Sequence, residues 1–309
     1  MIGRLRREFY SGVDHAVRRL VQGLHVDRDV ATGHVAAGIL GRVAADGPLE
    51  DAAFLIKAAT EAVGQLSARC IRVRWDEAYA ATGQPRFDTF VHCVETGLPA
   101  LPSDVAEDTL RVANGIIGSP DVDFTGIPAG RSFAMASSFG LKARLLYGAA
   151  AVLGPRRCLE IGTAWGMSGL VLLHALKRGG RAGTLDTIEM DAQRHAAAAR
   201  MLGERFGDRV TCHLGLTENL LPGVAERMGG IDFAFHDGGH GRKHYVGDFA
   251  IIAALMPAGG VVVFDDIRWQ SRRSVEPSDC YEGWLEVARH PRVRCAVEIA
   301  RRIGVVALG

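Results

Sequence analysis

The sequence lacks a long apolar run, a paired-cysteine motif, an excess of either charge and both of the common phosphate-binding glycine signatures. Each absence removes a class of protein. No 18-residue apolar span occurs, so no membrane-crossing helix is expected. The opening stretch, MIGRLRREFYSGVDHAVRRL, is basic but meets no apolar segment of the kind a secretory leader needs. Six cysteines (Cys70, Cys93, Cys158, Cys212, Cys280 and Cys295) are scattered without a CxxC pair, several of them in apolar runs where a thiol acts as a small hydrophobe. A reduced, cytoplasmic setting suits them. Against 36 Lys and Arg stand 35 Asp and Glu, a formal net charge of +1, so bulk electrostatics demands neither nucleic acid nor a membrane surface as partner. A small molecule is the expected partner. Neither GxGxxG nor GKS or GKT is present, which argues against a dinucleotide cradle and a P-loop, and no internal repeat or low-complexity segment is seen.

What is there is an ordinary globular composition, 48% hydrophobic over 309 residues, enough for one large domain or two. From Met1 to about Leu98 the apolar residues recur at helical spacing, as in Ala52, Leu55, Ile56, Ala59 and Val63, so this part reads as all-helical. The stretch 97–130 is dense in Pro and Gly, holds one short helix after Ser103, and reads as a link. We therefore expect a helical region over 1–130 and a second domain over 131–309.

In the second region the period changes. Strand-like runs at RRCLEI, GTLDTIEM, RVTCHLG, IDFAF and GGVVVFDDI alternate with helical segments, the signature of βαβ units. Short apolar runs without polar alternation mean strands covered on both faces, as in a parallel sheet. RVRCAVEIA and RIGVVAL have too short a connection to be anything but antiparallel neighbours. The expectation is an α/β, doubly wound, mostly parallel seven-stranded sheet with an antiparallel last strand.

Ligands of such sheets bind at the carboxyl ends of the strands near the switch point. The first strand there ends in CLEIGTAWGMSGL, whose Gly162 and Gly166 let backbone approach a ligand, and Glu160 stands where a cationic group can be met. Glu189 ends the next strand, where a carboxylate can accept from two ribose hydroxyls. Two acids with a glycine loop between them suit a positively charged nucleoside better than a phosphorylated one. Ser168 reads equally well as a helix cap or a ligand contact, and Thr217 and Glu218 before ENLLP read as caps ahead of ligand contacts, while Asp191 reads as a cap alone.

With LEIGTAWGMS, TIEMD, GLTENLLP, FAFHDGGH and PAGGVVVFDDI in place, the chain resembles the class I S-adenosylmethionine-dependent methyltransferases from about Phe139 onward, and among them the metal-dependent small-molecule O-methyltransferases of the catechol type. The resemblance implies a Rossmann-like methyltransferase fold. It implies a cofactor set of Glu160, Gly162, Thr163, Gly166, Ser168, Glu189, Met190, Thr217, Glu218 and Asp237, with Gly162 and Gly166 on the cofactor backbone, Ser168 near its methionine carboxylate, Glu189 on the ribose and Thr217 and Glu218 beside the adenine.

Asp237 ends one strand, and Asp265 and Asp266 end the next in the expected order. Three converging carboxylates repel one another, and a hard divalent cation, Mg²⁺ first, relieves that. The resemblance assigns Asp237, Asp265 and Asp266 to that metal, which would hold two substrate oxygens and acidify one of them. Gly238 and Gly239 are read as clearing space for cofactor or metal. His240 falls where catechol-type members carry a lysine base, so it is the candidate catalytic base, the alternative being a histidine that orients Asp237. His236 is read as packing at the strand end, Lys243 and His244 as a solvated helix start, and Arg268, Arg272 and Arg273 as a solvated loop able to meet an anion.

The function expected is methyl transfer to a hydroxyl of a small phenolic or hydroxylated metabolite of secondary metabolism, with the helical region as substrate lid or homo-oligomer arm. Nucleic acid is disfavoured as acceptor, since no NPPY or DPPY follows the relevant strand. A metal-independent C- or N-methyltransferase and a non-catalytic binding module that kept the fold remain as alternatives.

Overall fold

The computed structural model describes residues 70–83, 86–117, 141–180, 182–268, 278–300 and 302–309. The expected helices before residue 70, the link over 118–130, the boundary at 130, and Arg272 and Arg273 lie outside the described residues.

The alternation read from the sequence builds a mixed eight-stranded sheet in the order β1-β7-β8-β6-β5-β2-β3-β4. Its strands are β1 (Cys70–Arg74), β2 (Arg157–Ile161), β3 (Thr184–Glu189), β4 (Val210–Leu214), β5 (Phe233–His236), β6 (Val261–Phe264), β7 (Val293–Ile299) and β8 (Ile303–Leu308). The helices are α1 (Glu77–Thr82), α2 (Phe87–Thr96), α3 (Ser103–Ile117), α4 (Leu141–Leu153), α5 (Met167–Arg178), α6 (Ala192–Phe206), α7 (Thr217–Met228), α8 (Arg242–Leu255) and α9 (Cys280–Arg289). Strands β2 to β6 pair in parallel, while β8 pairs antiparallel to β6 and, as the short 299–303 connection requires, to β7.

The eighth strand was not expected. Cys70–Arg74 lies in the stretch read as all-helical, yet it pairs antiparallel with β7, from Cys70 opposite Ile299 to Arg74 opposite Ala296. The five residues CIRVR carry a weak period-two pattern that the surrounding alanine-rich helical spacing masks. The tertiary partner decides the conformation: β7 is an open edge until β1 covers it.

Period two along each central strand feeds two cores. On one face Cys158, Leu185, Phe233, Phe235, Val261 and Val263 pack beneath α2, α3, α4 and α5. On the other Leu159, Ile161, Ile188, Ala234, Val262 and Phe264 pack against α7, α8 and α9 around the fully buried Trp284. Each buried Phe contributes about 1.5–3 kcal/mol of transfer free energy, and deleting one down to alanine costs more because a cavity remains. The chain leaves β2 toward β3 and β4 on one side, and β5 and β6 lie on the other. The crevice between the ends of β2 and β5 is therefore the switch point.

Candidate active site

At the end of β2 the backbone turns through Gly162 (φ +90°), Ala164 (φ +46°) and Gly166 (φ +79°) before α5 begins. A Cβ on Gly162 would stand 2.3 Å from the carbonyl oxygen of Asp237, and one on Gly166 2.8 Å from the Met201 methyl. Both positions need glycine, for their φ and for the closeness of neighbouring chain. Beneath this loop Glu160 is fully buried. Its Oε2 accepts from Thr187 at 2.6 Å and from Ser168, and the Thr187 hydroxyl also bonds that of buried Thr163. Its Oε1 is buried with no hydrogen-bond partner among the described residues. Burial pushes the Glu160 carboxyl up to about 7, the two hydroxyl donors and Lys142 pulling the other way.

At the end of β3, Glu189 is pinned in place. Its Oε2 accepts from the Ala164 amide at 2.7 Å and its Oε1 from the Asp191 amide at 2.9 Å, so the carboxylate faces the loop after β2 with one lone pair left on each oxygen. Asp191 caps α6 as read, accepting from the Arg194 amide. Next to it Met190 is 70% exposed, and Leu214 and Leu216 at the end of β4 are exposed as well, three apolar side chains beside the Glu189 carboxylate's own strand end. The capping readings of Ser168, Thr217 and Glu218 are not what the structure has: Gly166 is the cap of α5 and Leu216 that of α7, and neither gives a side-chain cap bond. Ser168 instead bonds Glu160, and Thr217 and Glu218 form the first turn of α7, Glu218 exposed.

The ends of β5 and β6 bring Asp237, Asp265, Asp266 and His240 together, since His236 is in register with Phe264. Two cations that the sequence reading missed meet them. Lys142, near the start of α4, puts Nζ 2.9 Å from Asp237 Oδ2 and 3.0 Å from Asp265 Oδ2. Arg302, in the β7–β8 turn, donates Nε and Nη2 to the two oxygens of Asp265 at 3.0 and 2.8 Å, and its Nε also lies 2.8 Å from Asp266 Oδ1. Asp265 is fully buried with both oxygens engaged. The repulsion among the carboxylates is thus offset from within the chain, where a divalent cation had been expected to do it. The signal for Arg302 was its place in a turn between two apolar strands, a position that ordinarily points to solvent.

The remaining oxygens face His240. Its Nδ1 donates to the Gly238 carbonyl, and Nε2 lies 3.5 Å from Asp266 Oδ2 and 3.7 Å from Asp237 Oδ1. Burial lowers the His240 pKa, but the bond to Asp266 and the charges of Asp237 and Asp266 outweigh it and raise the pKa above the ordinary histidine value. Burial also drives Asp237 upward, with Lys142 opposing and the other two aspartates adding to the rise. For Asp266 the cations win: Arg302, His240 and Lys142 hold its carboxyl far below the usual range despite its burial, and Asp265 is lowered as well. Asp266 sits at φ +55°, a left-handed conformation uncommon for a residue other than glycine.

Three further readings are corrected or refined. Gly238 and Gly239 clear protein: a Cβ would stand 2.7 Å from Ile161 Cγ2 at the first and 2.6 Å from the His244 ring at the second. His236 is buried against Phe264 and Tyr245 and pairs with Asp248 at 2.9 Å. Arg268 is engaged by Glu298 at 2.9 Å and lies over the Tyr281 ring.

The all-oxygen Mg²⁺ set of three aspartates does not fit this arrangement, because Asp265 offers no oxygen outward. Among the described residues, the group whose donor atoms lie within 4.8 Å of one another is Asp237, His240 and Asp266, two carboxylates and one imidazole. A cationic nucleoside fits the other half: an orphaned buried Glu160 oxygen, a pinned Glu189 and exposed Met190 surround one end of the crevice.

Residues 159–267 match the family model Methyltransf_24, described as a methyltransferase domain, a stretch running from β2 to just past Asp266. That stretch, which spans less than half of the chain, is thus similar to a methyltransferase domain. Its fold is similar to that of the SAH-bound methyltransferase PaMTH1 of Podospora anserina, at 18% identity over 77% of this chain and 98% of that one, with a TM-score of 0.53. The O-methyltransferase of Bacillus cereus in complex with SAH is similar at 19% identity over 71% and 97% of the two chains, with a TM-score of 0.48. No curated protein matches in sequence. Among the described residues no helix is long and apolar enough to cross a membrane.

Proposed function

We propose that the chain transfers a methyl group from S-adenosylmethionine to a hydroxyl of a small phenolic or hydroxylated acceptor. The observation that carries this reading is the juxtaposition, across one switch-point crevice, of a nucleoside-type cradle at β2 and β3 with a proton-handling cluster at β5 and β6. When bound, the cofactor supplies a methyl group already activated on a sulfonium.

The chain's own residues have four tasks. Glu189, held by two amides, keeps a carboxylate oriented for ribose hydroxyls, and Met190 with Leu216 offers apolar surface to the base. Glu160 presents a buried negative or shared-proton oxygen to a cationic group. Gly162, Thr163, Gly166 and Ser168 shape the loop between them. His240, flanked by the outer oxygens of Asp237 and Asp266, holds or accepts the proton an acceptor hydroxyl gives up. Hydroxyl acceptors are favoured over carbon acceptors because these groups handle a proton on an exposed heteroatom.

Asp237, His240 and Asp266 approach one another closely enough that a divalent cation there would supply Lewis acidity to the acceptor oxygen, but the Lys142 ammonium on Asp237 opposes that occupancy, and the metal-free reading is the one proposed. Within the region over 1–130, the described part of 70–117 packs on the sheet, and the part before Cys70 is proposed as the acceptor lid or as an arm between copies.

Calorimetric titration with S-adenosylmethionine tests the first half. Glu189→Ala should weaken binding by about 10- to 100-fold, the worth of hydrogen bonds to a charged group, and an unchanged affinity removes the ribose assignment. Incubation with a panel of catechol-like acceptors, read by mass spectrometry, tests the second; methylation on carbon or nitrogen alone would refute the hydroxyl reading.

A further inference from the structure

Lys142 stands outside every role so far assigned, although it is one of the two residues that make the acidic cluster tenable. It reaches from α4, with only 11% of its side chain exposed, and passes 6.0 Å from the centroid of the Phe235 ring to seat its ammonium between Asp237 and Asp265. The contacts sort the carboxylate oxygens into two layers. The inner layer, Asp237 Oδ2, both oxygens of Asp265 and Asp266 Oδ1, is committed to Lys142 and Arg302. The outer layer, Asp237 Oδ1 and Asp266 Oδ2, faces His240.

We propose that Lys142 is a positioning residue that decides which cation the cluster accepts: its ammonium on one oxygen of Asp237 excludes a divalent metal from the other. The reasoning is electrostatic. Three carboxylates face two fixed cations and the His240 ring, which leaves at most a single negative charge for any guest, whereas a dication brings two positive charges. A metal on Asp237 Oδ1 shares that carboxylate with an ammonium on Oδ2, and a metal on Asp266 Oδ2 shares that one with the Arg302 guanidinium on Oδ1. In a cleft of reduced dielectric such like-charge neighbours are costly, and water cannot screen them fully. Metal sites built on carboxylates draw their affinity from uncompensated negative charge, which Lys142 removes here. Replacing that ammonium by a neutral side chain restores the missing charge without touching any of the three candidate ligands.

This inference rests on neither the cofactor nor the acceptor assignment, and its test needs neither. Full-length protein is titrated with Mn²⁺, whose free-ion paramagnetic resonance signal reports binding and whose chemistry tolerates both carboxylate and imidazole. Lys142→Gln should bind Mn²⁺ about tenfold or more tightly than the wild type, the direction that removal of a neighbouring like charge requires. Lys142→Arg, which keeps the charge, should stay at the wild-type level. A role in structure alone cannot create metal affinity, so equal affinity in the wild type and Lys142→Gln overturns the proposal, as does a gain in Lys142→Arg equal to that in Lys142→Gln. Should Lys142→Gln fail to fold, the wild type decides: its thermal midpoint should not respond to Mn²⁺ at micromolar concentration, and a saturating rise there would show metal binding to the native state and sink the idea.

Discussion

Two pairs of strand ends meet at the switch point, and each has to accommodate buried carboxylates. At β2 and β3 the acids are met by neutral donors: hydroxyls of Thr187 and Ser168 on Glu160, backbone amides on Glu189. At β5 and β6 they are met by cations, Lys142 and Arg302, with His240 between. The difference appears in their titration. Burial lifts Glu160 to about 7, whereas Asp266 is held well below the carboxylate range by the cations around it. Neutral donors leave unspent negative potential, and so a place for a cationic guest. Internal cations use that potential up and leave a place for a proton. Under the proposed function, the charged methyl donor belongs on the first side and the acceptor's proton on the second.

The comparison is broken most severely at Arg302. Arg302→Met leaves fully buried Asp265 with Lys142 alone and strips Asp266 of its guanidinium, so chemical denaturation should show a loss of about 3–5 kcal/mol; a loss below about 1 kcal/mol would mean that the β5–β6 cluster is not held by charge.

Gly162→Ala attacks the junction of the two halves, because the new methyl would press on the Asp237 carbonyl at a φ of +90°. We expect about 3 kcal/mol of destabilisation from strain and crowding together. A neutral result in a denaturant melt would show that the loop after β2 can move away from β5.

Glu160→Gln sharpens the contrast through pH. Because the folded carboxyl titrates above its ordinary value of 4.5, the native state binds a proton the unfolded state has already released. That contribution to stability is complete below about pH 4.5 and is lost as pH rises through about 7. Glutamine, neutral throughout, should therefore be the more stable form above pH 7, by on the order of 2–3 kcal/mol, and the gap should close toward pH 4. Thermal unfolding across that range measures it, and a gap independent of pH would contradict the raised titration.

Asp191→Ala is the smallest change. It removes the side-chain acceptor for the Arg194 amide and should cost about 1 kcal/mol of helix capping. Its amide bond to Glu189 stays, so cofactor affinity should hold; a collapse of affinity would show that the Glu189 carboxylate depends on the cap as well.

Much of this was legible in the chain. The βαβ alternation, the antiparallel final pair and the adjacency of Asp237 to Asp265 and Asp266 follow from hydrophobic period and connection length, which are local properties. So did Gly162, Gly166 and Glu189 at strand ends, because a strand that stops on glycine or acid declares where it opens to a ligand. β1 was not legible: five residues of weak alternation inside a helical context become a strand only because β7 offers an edge.

What the sequence by itself determined is which residues come to the ends of which strands. What only tertiary structure decided is their charge partners. Lys142 lies 95 residues from Asp237 and Arg302 lies 37 from Asp265, and each would read as an ordinary solvated side chain until packing brings it against a buried carboxylate. Periodicity is written in neighbours along the chain, whereas electrostatic compensation depends on distances of about 3 Å between groups that folding alone makes neighbours.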